Sequence, residues 1–155
     1  MKKTASIIAS VLLIAILASA LAVNVFAAST EHTEFSTNVY LDSYTHIYPV
    51  ISKYNNSDLM IDIQTGTNSY YYVRAVGCDY LGRNLTNYTF YNNQIIDHVT
   101  VQRGTMYSIP SVVDDRGDGW ATIGIKAPGN PGAASGYWSP DTYVQYATPT
   151  FPPTE

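Results

Sequence analysis

The sequence predicts an all-β protein, an antiparallel β-sandwich of eight or nine short strands with an Ig-like or jelly-roll-like arrangement. Three observations predict this class. Apolar and polar residues alternate with a period of two in short segments. Clusters of Asn, Asp, Gly, Pro and Ser separate these segments at intervals of about 8–12 residues. No amphipathic helix pattern of useful length occurs, and the short connections favour antiparallel pairing because parallel strands need long crossovers.

Residues 1–27 are typical of a secretory signal peptide. Two lysines open the segment, an uncharged run rich in Ala, Ile and Leu follows, and small residues allow cleavage between Ala27 and Ala28. The run is nearly long enough for an uncleaved membrane anchor. However, Ala and Ser dilute it, Asn24 interrupts it, and the chain becomes polar immediately afterwards. We therefore expect a protein that is secreted and extracellular.

The remainder has the size of one domain, which we place at residues 28–147, followed by a Pro/Thr-rich tail at 148–155 that we expect to be disordered. Loss of the two leader lysines lowers the formal charge from −4 to −6. This balance argues against nucleic acid and anionic membranes as partners. Cys78 is the only cysteine, so an internal disulfide is impossible. An exported domain without disulfides fits a bacterial source.

The first part of this domain contains three predicted strands. Residues 35–41 alternate, with an apolar face that begins at Phe35. Residues 46–52 are also strand-like, but Pro49 lacks a backbone N–H and restricts them to a sheet edge or a bulge. After a polar turn, residues 59–64 alternate again and form the third predicted strand.

The longest predicted strand covers residues 69–79. The face expected in the core consists of Tyr71, Val73 and Ala75. Tyr72 and Arg74 lie on the opposite face, which we expect in solvent because a charged side chain is costly to bury. Two later apolar residues break this pattern, which predicts a bulge near Gly77. Residues 86–91 are predicted to form the returning strand.

The second half of the domain begins with short predicted strands at 99–102 and 106–109. Residues 120–127 show the clearest alternation, and their inward residues are Ala121, Ile123, Ile125 and Ala127. Residues 128–136 (PGNPGAASG) predict a flexible loop outside regular structure. Trp138 is expected to anchor that loop to the core. A last strand is predicted over residues 142–147.

An acidic loop between two of these strands is a candidate Ca²⁺ site. It contains Asp114, Asp115 and Asp118, and Ca²⁺ takes six to eight oxygen ligands. The spacing does not fit an EF-hand, because Arg116 and Ile125 occupy positions where that loop has oxygen ligands. A solvated turn is the simpler interpretation, so we predict no metal or other cofactor.

Strand parity places three large aromatic side chains away from the core: Trp120, Tyr72 and Tyr40. Flat amphipathic rings on a rigid sheet can stack on sugar rings, and nearby carboxylates and amides can bind hydroxyl groups. Carbohydrate binding is therefore the leading specific hypothesis. In the simpler alternative, these rings cover the sheet or form cross-strand pairs, each worth about 0.2–1 kcal/mol.

The sequence thus favours a secreted binding or structural module whose partner is an extracellular glycan or protein. A protein-interaction or toxin-like factor is the alternative, and an uncharacterised hydrolase is the third possibility. Catalysis has little support, because the carboxylates have no spacing that indicates a glycosidase pair and the three histidines have no metal-ligand spacing. We predict that the protein is not an enzyme.

Overall fold

The computed structural model describes residues 33–53, 57–91 and 93–141. Over these ranges the chain forms antiparallel strands and one 3₁₀ turn, Asp114–Arg116, which confirms the predicted all-β antiparallel class. The strands are β1 Thr33–Val39, β2 Thr45–His46, β3 Ile51–Ser52, β4 Leu59–Gly66, β5 Tyr70–Cys78, β6 Thr86–Asn87, β7 Phe90–Tyr91, β8 Gln94–Ile95, β9 Val99–Gln102, β10 Met106–Ile109, β11 Trp120–Lys126 and β12 Gly132–Ser139.

The strands form two main sheets and a small hairpin. The four-stranded sheet has the order β1-β12-β4-β10. In the six-stranded sheet, β11 pairs with β5 along its whole length, β2 and β3 pair with the other side of β11, and β6 and β9 pair with the other side of β5. Strands β7 and β8 pair with each other in a separate hairpin. The segment predicted at 46–52 thus supplies two short edge strands, and Pro49 lies between them.

Side chains from both main sheets share one hydrophobic core. The inward residues predicted for β11, Ala121, Ile123 and Ile125, are fully buried as expected, but the outward Thr122 and Gly124 are buried as well. The inward face of β5 is likewise buried, as predicted, at Tyr71, Val73 and Ala75. The four-stranded sheet contributes fully buried side chains that include Val39, Leu59, Ile61, Ile63 and Ile109. Burial of such apolar area, at about 25 cal/mol per Å² removed from water, is the main stabilising contribution.

The Gly-rich segment predicted as a loop was assigned wrongly. Residues from Gly132 onward form β12, which lies between β1 and β4 inside the four-stranded sheet. Small residues are required here because the backbones approach closely. A Cβ on Gly136 would lie 1.9 Å from the Asp62 carbonyl oxygen. A register shift between Ser135 and Gly136 accompanies this contact. Trp138 is fully buried, but as part of this strand rather than as the anchor of a loop.

Three smaller predictions also need correction. The returning strand predicted at 86–91 is divided between β6, in the six-stranded sheet, and β7, in the hairpin. The bulge predicted near Gly77 is absent from the β5–β11 pairing, whose register continues without a shift to Cys78. Cys78 is buried because the outer surface of the sheet is covered at this end, where Thr122 is also fully buried. The strand count exceeds the predicted eight or nine because several strands have only two residues.

Several predictions lie outside the described residues: the signal peptide at 1–27, its cleavage between Ala27 and Ala28, the last strand at 142–147 and the tail at 148–155. Within the ranges that the structure describes, no helix is long and apolar enough to cross a membrane.

Candidate functional site

One end of the outer surface of the six-stranded sheet carries a cluster of rings and charges. Tyr72, on β5, lies directly opposite Thr100 on β9 and Lys126 on β11. Strand alternation directs Tyr72 away from the core because its neighbours Tyr71 and Val73 are fully buried. We call this surface the aromatic face and define it as Tyr44, Tyr70, Tyr72, Arg74, Asp97, His98 and Lys126.

Three rings of the aromatic face are in contact. The Tyr72 ring lies between its neighbours, with its centroid 5.9 Å from that of Tyr70 and 4.3 Å from that of His98. The Tyr70 ring meets Tyr72 nearly edge-on, at 72° between the ring planes, which is a favoured geometry for aromatic pairs. Tyr70 is 38% exposed, and Tyr72 and His98 are half-buried. A row of three partly exposed rings is thus held on a rigid sheet.

Two cations border this row of rings. The Arg74 guanidinium lies 3.9 Å from the centroid of the Tyr44 ring, and the Lys126 ammonium lies 4.9 Å from the same centroid and 5.6 Å from that of Tyr72. These are cation–π distances. Room for Arg74 comes from Gly124, where a Cβ would lie 3.1 Å from both Cγ and Nε of the arginine. The positive charges are therefore held against rings of the aromatic face.

A single carboxylate organises the other side of the face. The Tyr44 hydroxyl donates a hydrogen bond of 3.0 Å to Oδ2 of Asp97, and Nδ1 of His98 lies 2.8 Å from the same oxygen. The contact with His98, followed by that with Tyr44, holds the pKa of Asp97 below its usual value. Burial, followed by the bond to Asp97, raises the pKa of the Tyr44 phenol. At neutral pH, Asp97 is therefore ionised and Tyr44 keeps its proton.

His46 lies beside the face and contacts its arginine. Its Nε2 atom is 3.2 Å from Nη2 of Arg74. Burial, and then the positive charge of Arg74, lower the pKa of His46 below the usual 6.5. The imidazole is therefore neutral at pH 7 and can accept a hydrogen bond from the guanidinium. The Nε atom of Arg74 is buried without a hydrogen-bond partner, so the arginine keeps unused donor capacity.

The structure separates the three rings proposed from the sequence. Trp120 is half-buried and lies opposite Cys78, six residues along β5 from Tyr72, or about 20 Å away at the usual rise per residue. Tyr40 is 54% exposed in the loop that follows β1. Its carbonyl accepts a hydrogen bond of 2.9 Å from Ala127, which places its backbone at the same end of the sheet as Tyr72. The three rings do not form one continuous platform.

Strand alternation puts Tyr70 and Arg74 on the same side of β5 as Tyr72 and directs Lys126 of β11 outward. Parity alone could have identified this part of the aromatic face. Tyr44 and Asp97 give no such signal, because each lies outside a regular strand. Their position depends on how two loops fold over the sheet.

The acidic loop does not bring its three aspartates together. Burial lowers the pKa of the Lys53 amine, and the negative charge of nearby Asp114 acts in the opposite direction. Asp118 lies at a different place, where its Oδ2 atom would be 2.4 Å from a Cβ on Gly77. Over the residues that the structure describes, no group of three or more His, Cys, Asp or Glu side chains is placed to hold a metal ion.

A second surface feature is a shallow groove of about 280 Å³ on the outer side of the four-stranded sheet. Tyr137 lines it, with Glu34 directly opposite on β1 and Asp62 directly opposite on β4. The groove offers carboxylate and hydroxyl groups but only one outward aromatic ring. It is therefore a poorer platform for stacking than the aromatic face.

Comparison with known proteins gives one match. No curated protein and no solved structure matches the chain. A family described as "Protein of unknown function (DUF2712)" matches residues 23–142, which include every described strand. The chain therefore belongs to the DUF2712 family.

Proposed function

We propose that this protein is a secreted, non-catalytic binding module whose aromatic face binds an extracellular glycan that carries acidic groups. The observation that supports this proposal best is the row formed by Tyr70, Tyr72 and His98, bordered by the cations of Arg74 and Lys126. Rings on a rigid sheet lose little conformational freedom when a sugar stacks on them, so the cost of ordering the site on binding is small.

The charge of the aromatic face favours an acidic ligand. It contains two permanent cations and one carboxylate, whereas the whole chain has a formal charge of −4. A local positive region on an acidic protein attracts anionic groups. Uronic acids and other acidic sugars combine a stackable ring with a carboxylate.

Binding without catalysis is the simpler chemistry for this surface. Glycoside hydrolysis uses a pair of carboxyl groups about 5–10 Å apart on either side of the bond that is cleaved. The aromatic face, as defined by its described residues, carries only Asp97. That carboxylate already accepts contacts from Tyr44 and His98 and is held in its ionised form.

We also propose that the two main sheets pack as a β-sandwich behind a cleaved signal peptide. The shared core supports the sandwich, because apolar side chains of both sheets belong to one buried cluster. The lysines and apolar run of residues 1–27 support export. Edman sequencing of protein recovered from culture medium tests the leader, and a mature sequence that starts at Ala28 is expected.

The binding proposal is tested with immobilised polygalacturonate, with neutral laminarin and single-stranded DNA as comparisons. Retention on polygalacturonate that weakens with added salt is expected. Tyr72→Ala should lower retention at least tenfold, and Lys126→Gln should reduce its salt dependence. Tyr80→Ala is the matched control, because Tyr80 is 65% exposed and lies outside the aromatic face. Trp120→Ala should also retain binding, since Trp120 lies at the far end of the sheet.

Two results would refute the proposal. One is an equal loss of retention in the Tyr72 and Tyr80 variants, which would show that the aromatic face has no special role. The other is stronger retention on DNA than on any acidic glycan. Circular dichroism of each variant ensures that a lost fold is not mistaken for a lost site.

A protein partner is the second candidate, favoured by a different surface. Tyr48, Tyr80 and Leu81 are each more than half exposed. The Tyr48 hydroxyl donates to the Gly82 carbonyl at 3.3 Å, so these apolar groups are brought together at one hairpin. Exposed apolar clusters mark protein-binding surfaces. A defined partner that Leu81→Asp releases and Tyr72→Ala retains would favour this candidate.

A further inference from the structure

A lysine and an aspartate are buried together between the ends of two strands. Lys53 directly follows β3 in the six-stranded sheet, and Asp141 lies just beyond β12 in the four-stranded sheet. Both side chains are 0% exposed, and Nζ of Lys53 lies 3.1 Å from Oδ1 of Asp141. The pair joins positions that are 88 residues apart in the chain.

The surrounding groups hold the amine against the carboxyl group. Nζ donates to the carbonyl oxygens of Pro140 at 2.7 Å and Ser57 at 2.5 Å. The Ser57 hydroxyl donates to Oδ1 of Asp141 at 2.9 Å, which draws electron density away from the carboxyl carbon. Cγ of Asp141, the carbon that an amine attacks, is bonded directly to that oxygen. The amine and the carboxyl group are thus in contact before any reaction starts.

The buried position favours the uncharged form of the Lys53 amine, because removing an ammonium from water is costly. Burial lowers the pKa of this amine below its usual value, while nearby carboxylates act in the opposite direction. A neutral amine has the lone pair that attack on a carboxyl carbon requires. An amine and a carboxyl group in contact are the reactants for an amide.

We propose that Lys53 and Asp141 become joined by an intramolecular isopeptide bond. The Nζ lone pair attacks Cγ of Asp141, an Nζ–Cγ bond forms, and one Cγ–O bond breaks. The departing oxygen leaves as water with two hydrogens that the ammonium of the original ion pair supplied. No oxidant, reductant or activating group is consumed.

Two further carboxylates lie near the amine. The negative charges of Asp114 and Asp58 act on the pKa of Lys53 in the direction opposite to burial. Neither is needed for the mass balance of the step, because the pair itself supplies both hydrogens of the departing water.

The isopeptide bond would provide a covalent cross-link, which one cysteine cannot provide within the chain. With Cys78 as the only cysteine, the chain has no internal disulfide. A single amide between positions 53 and 141 would close a loop that contains most of the described strands and would tie the two sheets together covalently. The inference does not depend on the glycan proposal, since neither residue belongs to the aromatic face.

Mass spectrometry of the full-length protein tests the proposal. The denatured wild-type chain is expected to be lighter than its sequence mass by one water molecule. Trypsin should fail to cut after Lys53 and should give a branched peptide, in which the segment that ends at Arg74 is joined to the segment that begins at Ala127. The full sequence mass, with normal cleavage after Lys53, would overturn the proposal.

Two variants and one fragment assignment sharpen this result. Lys53→Arg should have its full sequence mass, because a guanidinium does not form the amide. Asp141→Asn should lose ammonia instead of water if the same carbon is attacked. Water can also be lost at an Asp-Gly sequence such as Asp118-Gly119. A deficit that fragmentation places there, or that persists in Lys53→Arg, would overturn the proposal. The wild-type measurement decides the question even if neither variant folds.

Discussion

Substitution of Gly136 by alanine should be strongly destabilising, although it adds only one methyl group. The new Cβ would lie 1.9 Å from the Asp62 carbonyl oxygen and 3.0 Å from the carbon of that carbonyl. Both atoms belong to the backbone of β4, so no side chain can rotate away to make space. Strands β12 and β4 must separate locally, in the interior of the four-stranded sheet.

The expected cost combines two effects. Overpacking of a well-packed interior costs about 1–3 kcal/mol. Weakening one or two cross-strand hydrogen bonds at the same place costs about 0.5–1.5 kcal/mol each. We expect a loss of about 3 kcal/mol in the free energy of unfolding. For a domain of this size, that loss lowers Tm by about 10 °C or more.

Gly129→Ala is the matched control for this experiment. Gly129 is exposed in the loop before β12, and a Cβ there would meet nothing within 4 Å. Its effect should stay within about 0.5 kcal/mol of the wild type, which is usual for surface substitutions. Urea unfolding followed by circular dichroism and by tryptophan fluorescence gives both values. Equal midpoints for the two variants would refute the close packing of β12 against β4.

Three further predictions concern single buried groups. The folded-state pKa of His46 lies below 6.5, the value expected in the unfolded chain. The stability that this residue contributes is therefore present above pH 6.5 and is lost as the pH falls below that value. Urea unfolding at a series of pH values below 6.5 should show a smaller loss of stability for His46→Gln than for the wild type. Cys78 is 2% exposed, and burial raises the pKa of its thiol to about 11. A thiol reagent should therefore label Cys78 only in denaturant. Rapid labelling of the native protein would contradict this expectation. Thr122→Val should lower the free energy of unfolding by about 1–3 kcal/mol, because the buried Thr122 hydroxyl donates a hydrogen bond to the Ile47 carbonyl. Urea unfolding measures this loss, and an unchanged midpoint would contradict the role of the hydroxyl.

Strands with alternating apolar residues were predictable, and a strand of small residues was not. The alternation at 120–127 and at 69–79 corresponds closely to β11 and β5, because the inward face of each strand is fully buried and the period of two follows directly from the pleat. In β12, close contact with the backbone of the neighbouring strand fills the space that bulky side chains fill in other strands. Gly and Ala have low β propensity, and the sequence carries no sign of the neighbouring strand that makes small residues necessary.

The candidate site was predictable to a similar, partial extent. Parity identified the direction of Tyr72 but could not measure its distance from Trp120 along the same sheet. The neighbours that turn Tyr72 into part of a site, such as Tyr44 and Asp97, come from loops. Loop positions depend on contacts between distant parts of the chain, which no local pattern encodes. The burial of Lys53 was equally hidden, since a lysine in a polar turn is normally expected in solvent.

The place of β12 between β1 and β4 also determines when the protein can fold. A chain made from its N-terminus holds β1 and β4 early, but neither can gain this neighbour until residues up to Ser139 have been synthesised. Such pairings give a high contact order, which slows folding, and leave strand edges exposed in the meantime. The four-stranded sheet is therefore completed only after translation of most of the chain. The sheet therefore cannot close before β12 is available, and a chain that is still unfolded is the form in which a secretion channel would pass it, as the proposed export requires.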